Sequence, residues 1–187
     1  MKNIVILGAS GAGKSVIEKG LVSFGYKKII SYTTRKPRLG EVDGQDYHFV
    51  SNSTFESMIQ AGMLAEYEEY SQGRLYGTLK NDYRTQENLV VVLTPNGFRQ
   101  LQDKENIFTV LITANLGTRV KRYIDRCGDK FNFDDMNEIT ARVNRDFGMF
   151  LGVEHEVDLV VENNDNVLVY DVIRKILSNV GGVIKSI

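Results

Sequence analysis

Gly8, Gly13, Lys14 and Ser15 fall in the spacing GxxxxGK[ST] within the run GASGAGKS. Glycines so placed let a turn bring successive backbone N–H groups, here those of Ser10, Gly11, Ala12 and their neighbours, toward one polyphosphate. Lys14 then supplies a point charge for the β- and γ-phosphates, and the Ser15 hydroxyl is a hard oxygen ligand for Mg²⁺. Further on, Arg35 and Arg38 stand three apart around Pro37 in TTRKPR. Pro37 restricts the backbone there, so the pair could aim two planar guanidinium forks at one phosphate monoester, although a solvated basic turn has the same spacing.

Chemistry of this kind needs elements to hold it. An apolar run at residues 3–7 leads into the glycine loop and a helix pattern at 14–24 leaves it, the context a phosphate-binding loop requires, with a positive helix end facing the ligand. Further Val- and Ile-rich runs at 28–32, 89–93, 107–112 and 158–161 read as parallel strands buried on both faces. Helix patterns at 97–103, 116–125, 136–150 and 167–178 alternate with them. That alternation predicts a three-layer α/β fold of P-loop NTPase type around a parallel sheet. Between residues 33 and 88 the rhythm breaks into short alternating stretches such as 46–50 and one clear helix near 54–61, which predicts an inserted subdomain with antiparallel strands. Residues 126–135 are polar and lead into a helix, as a mobile lid or an exposed connection would.

The stretch SYTTRKPRLGEVDGQDYHF, residues 31–49, resembles the nucleoside-monophosphate segment of guanylate kinases, SxTTRxPRxGExxGxDYxF, at every fixed position. The resemblance implies that Ser31 and Tyr47 join Arg35 and Arg38 around GMP, with Arg35, Arg38 and Tyr47 on its phosphate. GMLAEYEEYSQGRLYGT, residues 62–78, is similar to the family's FLExAxxxxxxYGT with one extra residue. By that likeness Glu66 accepts from guanine N1 and its exocyclic amine, Tyr76 reaches the phosphate and Thr78 the O6 side; Glu68 and Glu69 compete with Glu66. A carboxylate suits guanine, which presents two adjacent donors where adenine presents a donor beside an acceptor. RVKRYIDRCG followed by ITAR resembles the family's lid, RLxxRG then IxxR, and implies that Arg122, Arg126 and Arg142 close over the transferring phosphoryl. Asn163 falls near the family's adenine-contacting Asn, with Glu162 as its competitor.

The likeness divides the chain into a core (1–32, 89–125, 151–187), a monophosphate-binding insertion (33–88) and a lid (about 126–150). It implies an enzyme that moves the γ-phosphoryl of ATP to GMP or dGMP with Lys14, Arg38, Arg126 and Arg142 as catalytic groups, and Mg²⁺ carried with ATP on Ser15. One departure stands out: where the family has an acidic pair at the end of its third core strand, this chain has Val92 and Thr94. Thr94 can still hydrogen-bond a base, but Val92 cannot. A kinase with a shifted monophosphate preference, or a binding module without catalysis, would use the same residues; the intact Lys14 and lid arginines argue against the latter.

The remaining composition is permissive. The 187 residues suffice for one domain with an insertion, and a formal charge of −1 offers no broad basic field for nucleic acid or an anionic membrane. ATP and GMP are the partners to expect. The chain opens on a strand without a signal-like segment, and no apolar run nears the roughly 20 residues of a membrane span. Cys127 is the sole cysteine, so no intrachain disulfide forms, as suits a reducing cytoplasm.

Overall fold

The computed structural model describes residues 2–38, 40–71, 73–84, 88–102 and 105–181. Its elements run β1 (Asn3–Leu7), α1 (Lys14–Ser23), β2 (Lys27–Lys28), β3 (Tyr32–Thr33), β4 (His48–Phe49), α2 (Asn52–Gln60), β5 (Leu64–Ser71) and β6 (Arg74–Leu79). Then follow α3 (Lys80–Arg84), β7 (Leu89–Val92), α4 (Pro95–Gln100), β8 (Ile107–Thr113), α5 (Leu116–Cys127), α6 (Phe133–Phe150), β9 (Leu159–Glu162) and α7 (Val169–Asn179).

Five strands form a parallel sheet in the order β2-β7-β1-β8-β9. Because successive side chains of a strand point to opposite faces, β1 feeds two cores at once. Ile4 and Ile6 pack with Ile17, Leu21, Ile173 and Ile176 from α1 and α7. Val5 and Leu7 pack on the other side with Phe98, Leu101 and Val153. All four β1 side chains are at most 1% exposed, and each buried residue of this size contributes about 1.5–3 kcal/mol. A run apolar at every position is what such a doubly covered strand demands. No helix among the described residues is long and apolar enough to cross a membrane.

A second, four-stranded sheet, β4-β3-β6-β5, pairs β3 and β6 and β5 and β6 antiparallel, but β3 and β4 parallel. Its own small core is Phe55, Met58 and Leu64, backed by Tyr32, Leu75 and Leu79. Ser51 caps α2 by accepting the Thr54 N–H at 3.1 Å.

The predicted single strand at 28–32 is two strands in two sheets. β2 ends at Lys28, the Ile29 N–H still reaches Val90 O at 2.9 Å, and the chain then crosses so that Tyr32 and Thr33 pair with β6. The apolar run is continuous because Ile29 is buried in one core and Tyr32 packs on another. Within 33–88 the structure adds α3 to the one helix expected. α4 begins at Pro95, earlier than predicted, since Thr94 caps it by accepting the Gly97 N–H at 3.0 Å with Pro95 just inside; the predicted end at Asp103 lies outside the described residues. α6 starts at Phe133 rather than Met136, because Asn132 and Asp135 form a reciprocal capping box.

Candidate active site

The carboxyl ends of β1, β7, β8 and β9 deliver the glycine loop, Thr94, Asn115 and Asn163 to one edge of the sheet, where open α/β sheets bind ligands. Gly13 opens α1 with φ +93°, and a Cβ there would run into the Asn163 side chain; only glycine fits. Asn163 is 2% exposed; its Nδ2 donates to Ala12 O at 2.8 Å, while its Oδ1 is buried without a protein partner. Glu162, its competitor, is exposed on the strand's other side. Arg122 donates to Gly11 O (3.2 Å) and Asn163 O (2.9 Å), so it braces the loop from α5.

Lys14 bends over the loop and donates to Gly8 O (2.6 Å) and Ala9 O (3.1 Å). Burial pushes its pKa down to about 8; Asp146 opposes this, and the charges of Arg119, Arg142 and Arg126 add to it. A phosphate arriving there would restore the charge that burial disfavours. Asp146, on α6 and 1% exposed, accepts from the Ser10 N–H (2.8 Å), Arg119 Nη2 (2.7 Å) and the Tyr70 hydroxyl (3.2 Å). Arg119 Nε in turn donates to Ser10 O at 2.8 Å. α5 and α6 are thereby clamped to the glycine loop through an ion pair whose carboxylate is buried.

Arg142, one turn before Asp146, lies 3.3 Å from Ser10 Oγ. Its guanidinium is held by Glu138 Oε1 (2.5 and 3.1 Å) and stacks 5.3 Å from the Tyr123 ring, whose other neighbour is Arg126 at 5.2 Å. Burial works against the Glu138 carboxylate, yet the hydrogen bond and charge of Arg142 hold it at about 2.

The residues expected around the acceptor gather on the four-stranded sheet and the segment leading to it. Arg35, 7% exposed, spends most of its fork on the protein: Glu41 takes Nη1 (2.8 Å) and Nη2 (2.9 Å), Lys36 O takes Nη1 (2.7 Å), and Tyr76 OH takes Nε (3.2 Å). It also lies 5.3 Å over the Tyr47 ring. Arg38 is the freer of the pair, with 43% of its side chain exposed. Burial first, then the charges of Arg35, Arg142 and Arg126, disfavour its ionised form. Tyr47 and Tyr76 meet edge to face at 5.9 Å; burial pushes the Tyr47 hydroxyl up to about 12 and keeps it a neutral donor. Ser31 lies where the chain crosses between sheets, its carbonyl accepting the His48 N–H at 2.9 Å.

Glu66 and Thr78 are a directly opposed pair in the β5–β6 ladder, joined by a 2.9 Å bond from Thr78 Oγ1 to Glu66 Oε1. Tyr83 OH meets the same threonine at 3.0 Å. Glu66 is 4% exposed, and burial, helped by the nearby Glu68, raises its pKa to about 7. A Cβ on Gly97 would stand 2.5 Å from Glu66 Oε2, so the α4 start must be bare for this carboxylate to fit. Of the competitors, Glu69 is exposed and accepts the Gly73 N–H at 2.9 Å. Glu68 turns inward: its Oε2 accepts from Thr94 Oγ1 and its Oε1 from Asn96 Nδ2 at 2.8 Å.

Asp146, Arg119 and Tyr70 escaped sequence reasoning, and Glu68 entered it only as a competitor for the place of Glu66. Asp146 had a signal, since it follows Arg142 by four residues on one helix face; Glu68 had one in its strand spacing from Glu66. Val92 pairs with Ile6 inside the sheet and brings no oxygen. Among the described residues no three His, Cys, Asp or Glu side chains converge into a metal cage. The Ser15 hydroxyl, on the first turn of α1, is a hard oxygen that could hold Mg²⁺ carried on phosphate oxygens.

The family model described as guanylate kinase matches residues 1–180. The guanylate kinase of Enterococcus faecalis is 34% identical over 148 residues, 74% of this chain and 72% of that protein. The guanylate kinase of Lactobacillus delbrueckii subsp. bulgaricus is 36% identical over 124 residues, 62% of this chain and 60% of that protein. A crystal structure of guanylate kinase from Anaplasma phagocytophilum superposes with a TM-score of 0.72 over 96% of this chain and 85% of that one, at 18% identity.

Proposed function

The chain belongs to the guanylate kinase family, and on that premise we propose that it transfers the γ-phosphoryl of ATP to GMP or dGMP, releasing ADP and the nucleoside diphosphate. The observation that carries this reading is the placement of Arg142, whose Nη1 lies 3.3 Å from Ser10 Oγ of the glycine loop and which shares the Tyr123 ring with Arg126. Cationic groups beside a phosphate loop are what a transferring phosphoryl needs.

The backbone N–H groups of Gly11, Gly13, Lys14 and Ser15 and the Lys14 ammonium hold the ATP phosphates, Arg122 braces that loop, and Asn163 would offer its unpartnered Oδ1 to the adenine amine. Ser15 would hold Mg²⁺, which would supply charge neutralisation on the ATP phosphates. Arg38, the remaining N–H of Arg35, and the Tyr47 and Tyr76 hydroxyls fix the acceptor phosphate, with Ser31 beside them. Glu66 accepts from guanine N1 and its amine, Thr78 faces O6, and Thr94 borders the same edge. An acceptor phosphate oxygen attacks the γ-phosphorus as the bond to the β,γ-bridging oxygen breaks. No general base is required, because that oxygen is already anionic near neutral pH. Residues 33–88 act as the acceptor insertion and about 126–150 as the lid on a core of 1–32, 89–125 and 151–187. Closure of the two keeps water from the γ-phosphoryl. ATP and GMP are the partners rather than nucleic acid, and the cytoplasm is the compartment where both are plentiful.

The test is a panel of purified protein with ATP, Mg²⁺ and each nucleoside monophosphate. GMP or dGMP giving the highest kcat/KM supports the assignment. Equal or better turnover of AMP, UMP or dTMP refutes it, and GMP binding without ADP formation assigns a binding module instead.

A further inference from the structure

The carboxylates missing at Val92 and Thr94 leave the question of what reads the rest of the base. Between the irregularities at Ala65 and Tyr70 the β5–β6 ladder is regular, pairing Glu66 with Thr78 and Glu68 with Tyr76. All four side chains therefore share one face of the sheet, the face that carries the acceptor residues. Glu68 is half-buried there and held from two sides, by the Thr94 hydroxyl and by Asn96 Nδ2 at 2.8 Å. Thr94 accepts the Gly97 N–H at 3.0 Å, so its proton is directed to Glu68. Glu66 Oε2 lies against the same glycine. Two carboxylates from alternate positions of β5 thus meet at the first turn of α4.

We propose that Glu68 is a base-specificity residue: with Glu66 it forms a two-carboxylate reader for a purine bearing an amine at C2, and Thr94 and Asn96 hold it in position. This rests on the kinase reading above. A carboxylate oxygen has two acceptor sites, so the bonds from Thr94 and Asn96 leave each Glu68 oxygen able to accept again. Glu66 takes N1–H and one amine hydrogen; Glu68 takes the second. Hypoxanthine lacks the amine and leaves Glu68 with nothing to accept, while adenine turns an acceptor toward Glu66. The charge of Glu68 disfavours ionisation of Glu66, and a base that donates to both carboxylates relieves that repulsion. The negative charge absent from the end of β7 is thereby restored from β5, at a position where the family pattern has alanine.

The experiment compares kcat/KM for GMP and IMP, with ATP and Mg²⁺, in the wild-type chain and in Glu68→Gln, which keeps the shape and a single acceptor. The wild-type chain prefers GMP. In Glu68→Gln the GMP:IMP ratio falls by about tenfold or more, as for loss of a hydrogen bond to a charged group, chiefly through KM for GMP. Glu68→Asp, which retains charge but shortens the arm, lowers the same ratio and serves if the glutamine variant melts early. Equal losses for GMP and IMP would mean a structural staple alone and overturn the proposal, as would a ratio within twofold of wild type. A wild-type chain that prefers another monophosphate overturns the functional reading and this assignment with it; one selective for GMP, with an unmoved variant ratio, overturns this assignment only.

Discussion

Lowering the pH below 7 should weaken GMP selectively, because Glu66 must be ionised to accept from guanine. Its carboxyl is pushed from the ordinary 4.5 up to about 7, by burial first and by Glu68 second. That gap corresponds to about 3 kcal/mol in favour of the protonated form in the free protein. The sign follows from the folded value lying above the unfolded one: the stabilisation is complete below about pH 4.5 and is lost as the pH rises through about 7. The nucleotide-free fold is accordingly most favoured, as far as this group decides, on the acid side. GMP reverses the preference by donating two N–H groups to the carboxylate, so binding expels a proton. With a free-state value of about 7, the ionised fraction falls enough between pH 7.5 and 5.5 to raise the apparent dissociation constant roughly 25-fold. The GMP phosphate also titrates, with a second pKa near 6 as in other phosphomonoesters, so Glu66→Gln is the reference that subtracts it. Calorimetric titration at pH 7 in two buffers of different ionisation enthalpy should register release of about half a proton per GMP from Glu66. The same pH dependence in wild type and Glu66→Gln would refute the role given to this carboxylate.

Arg38→Ala should raise KM for GMP at least about tenfold while leaving KM for ATP within a few-fold, as expected for loss of a charge-assisted phosphate contact; steady-state titration of each substrate separates the two, and equal effects contradict the assignment. Lys14→Ala should lower kcat by about 10²–10³, the scale of removing one charge stabiliser from a transition state, with the melting temperature retained because a buried, partly disfavoured charge is lost; single-turnover assays and thermal melts read both. Asp146→Ala strands the Arg119 guanidinium and the Ser10 N–H, so unfolding should become easier by about 3–5 kcal/mol, measured by urea denaturation, and ATP binding should weaken with it. A variant as stable as wild type would mean that α6 is not clamped to the glycine loop through this carboxylate.

The donor loop was legible because everything it needs is contiguous. Gly8 to Ser15 specify a backbone path and an N-terminal helix end by local rules, and the structure opens α1 where the motif requires. The doubly buried strands were legible for a similar reason: a strand covered on both faces is apolar at nearly every position, the buried Thr109 being accommodated by its 2.8 Å bond to Asp158, so residues 3–7 and 107–112 read as strands on sight. Residues 28–32 misled for the same physical reason. Burial against two different cores writes the same apolar run as burial in one strand, and only pairing partners reveal the crossing at Ile29 to Ser31.

Sequence by itself therefore determined the local pattern: a glycine loop between β1 and α1 at Gly8 to Ser15, paired arginines at Arg35 and Arg38, and a parallel α/β frame. Tertiary structure decided which charges meet. Asp146 closes on Ser10 across 136 positions and Glu68 on Thr94 across 26, contacts fixed by strand order and register rather than by local spacing. Arg35 gives most of its fork to Glu41 and leaves Arg38 as the freer cation. A carboxylate lost from one strand end can be restored by another strand because a site recognises position in space, which the chain reaches only after its sheets have formed.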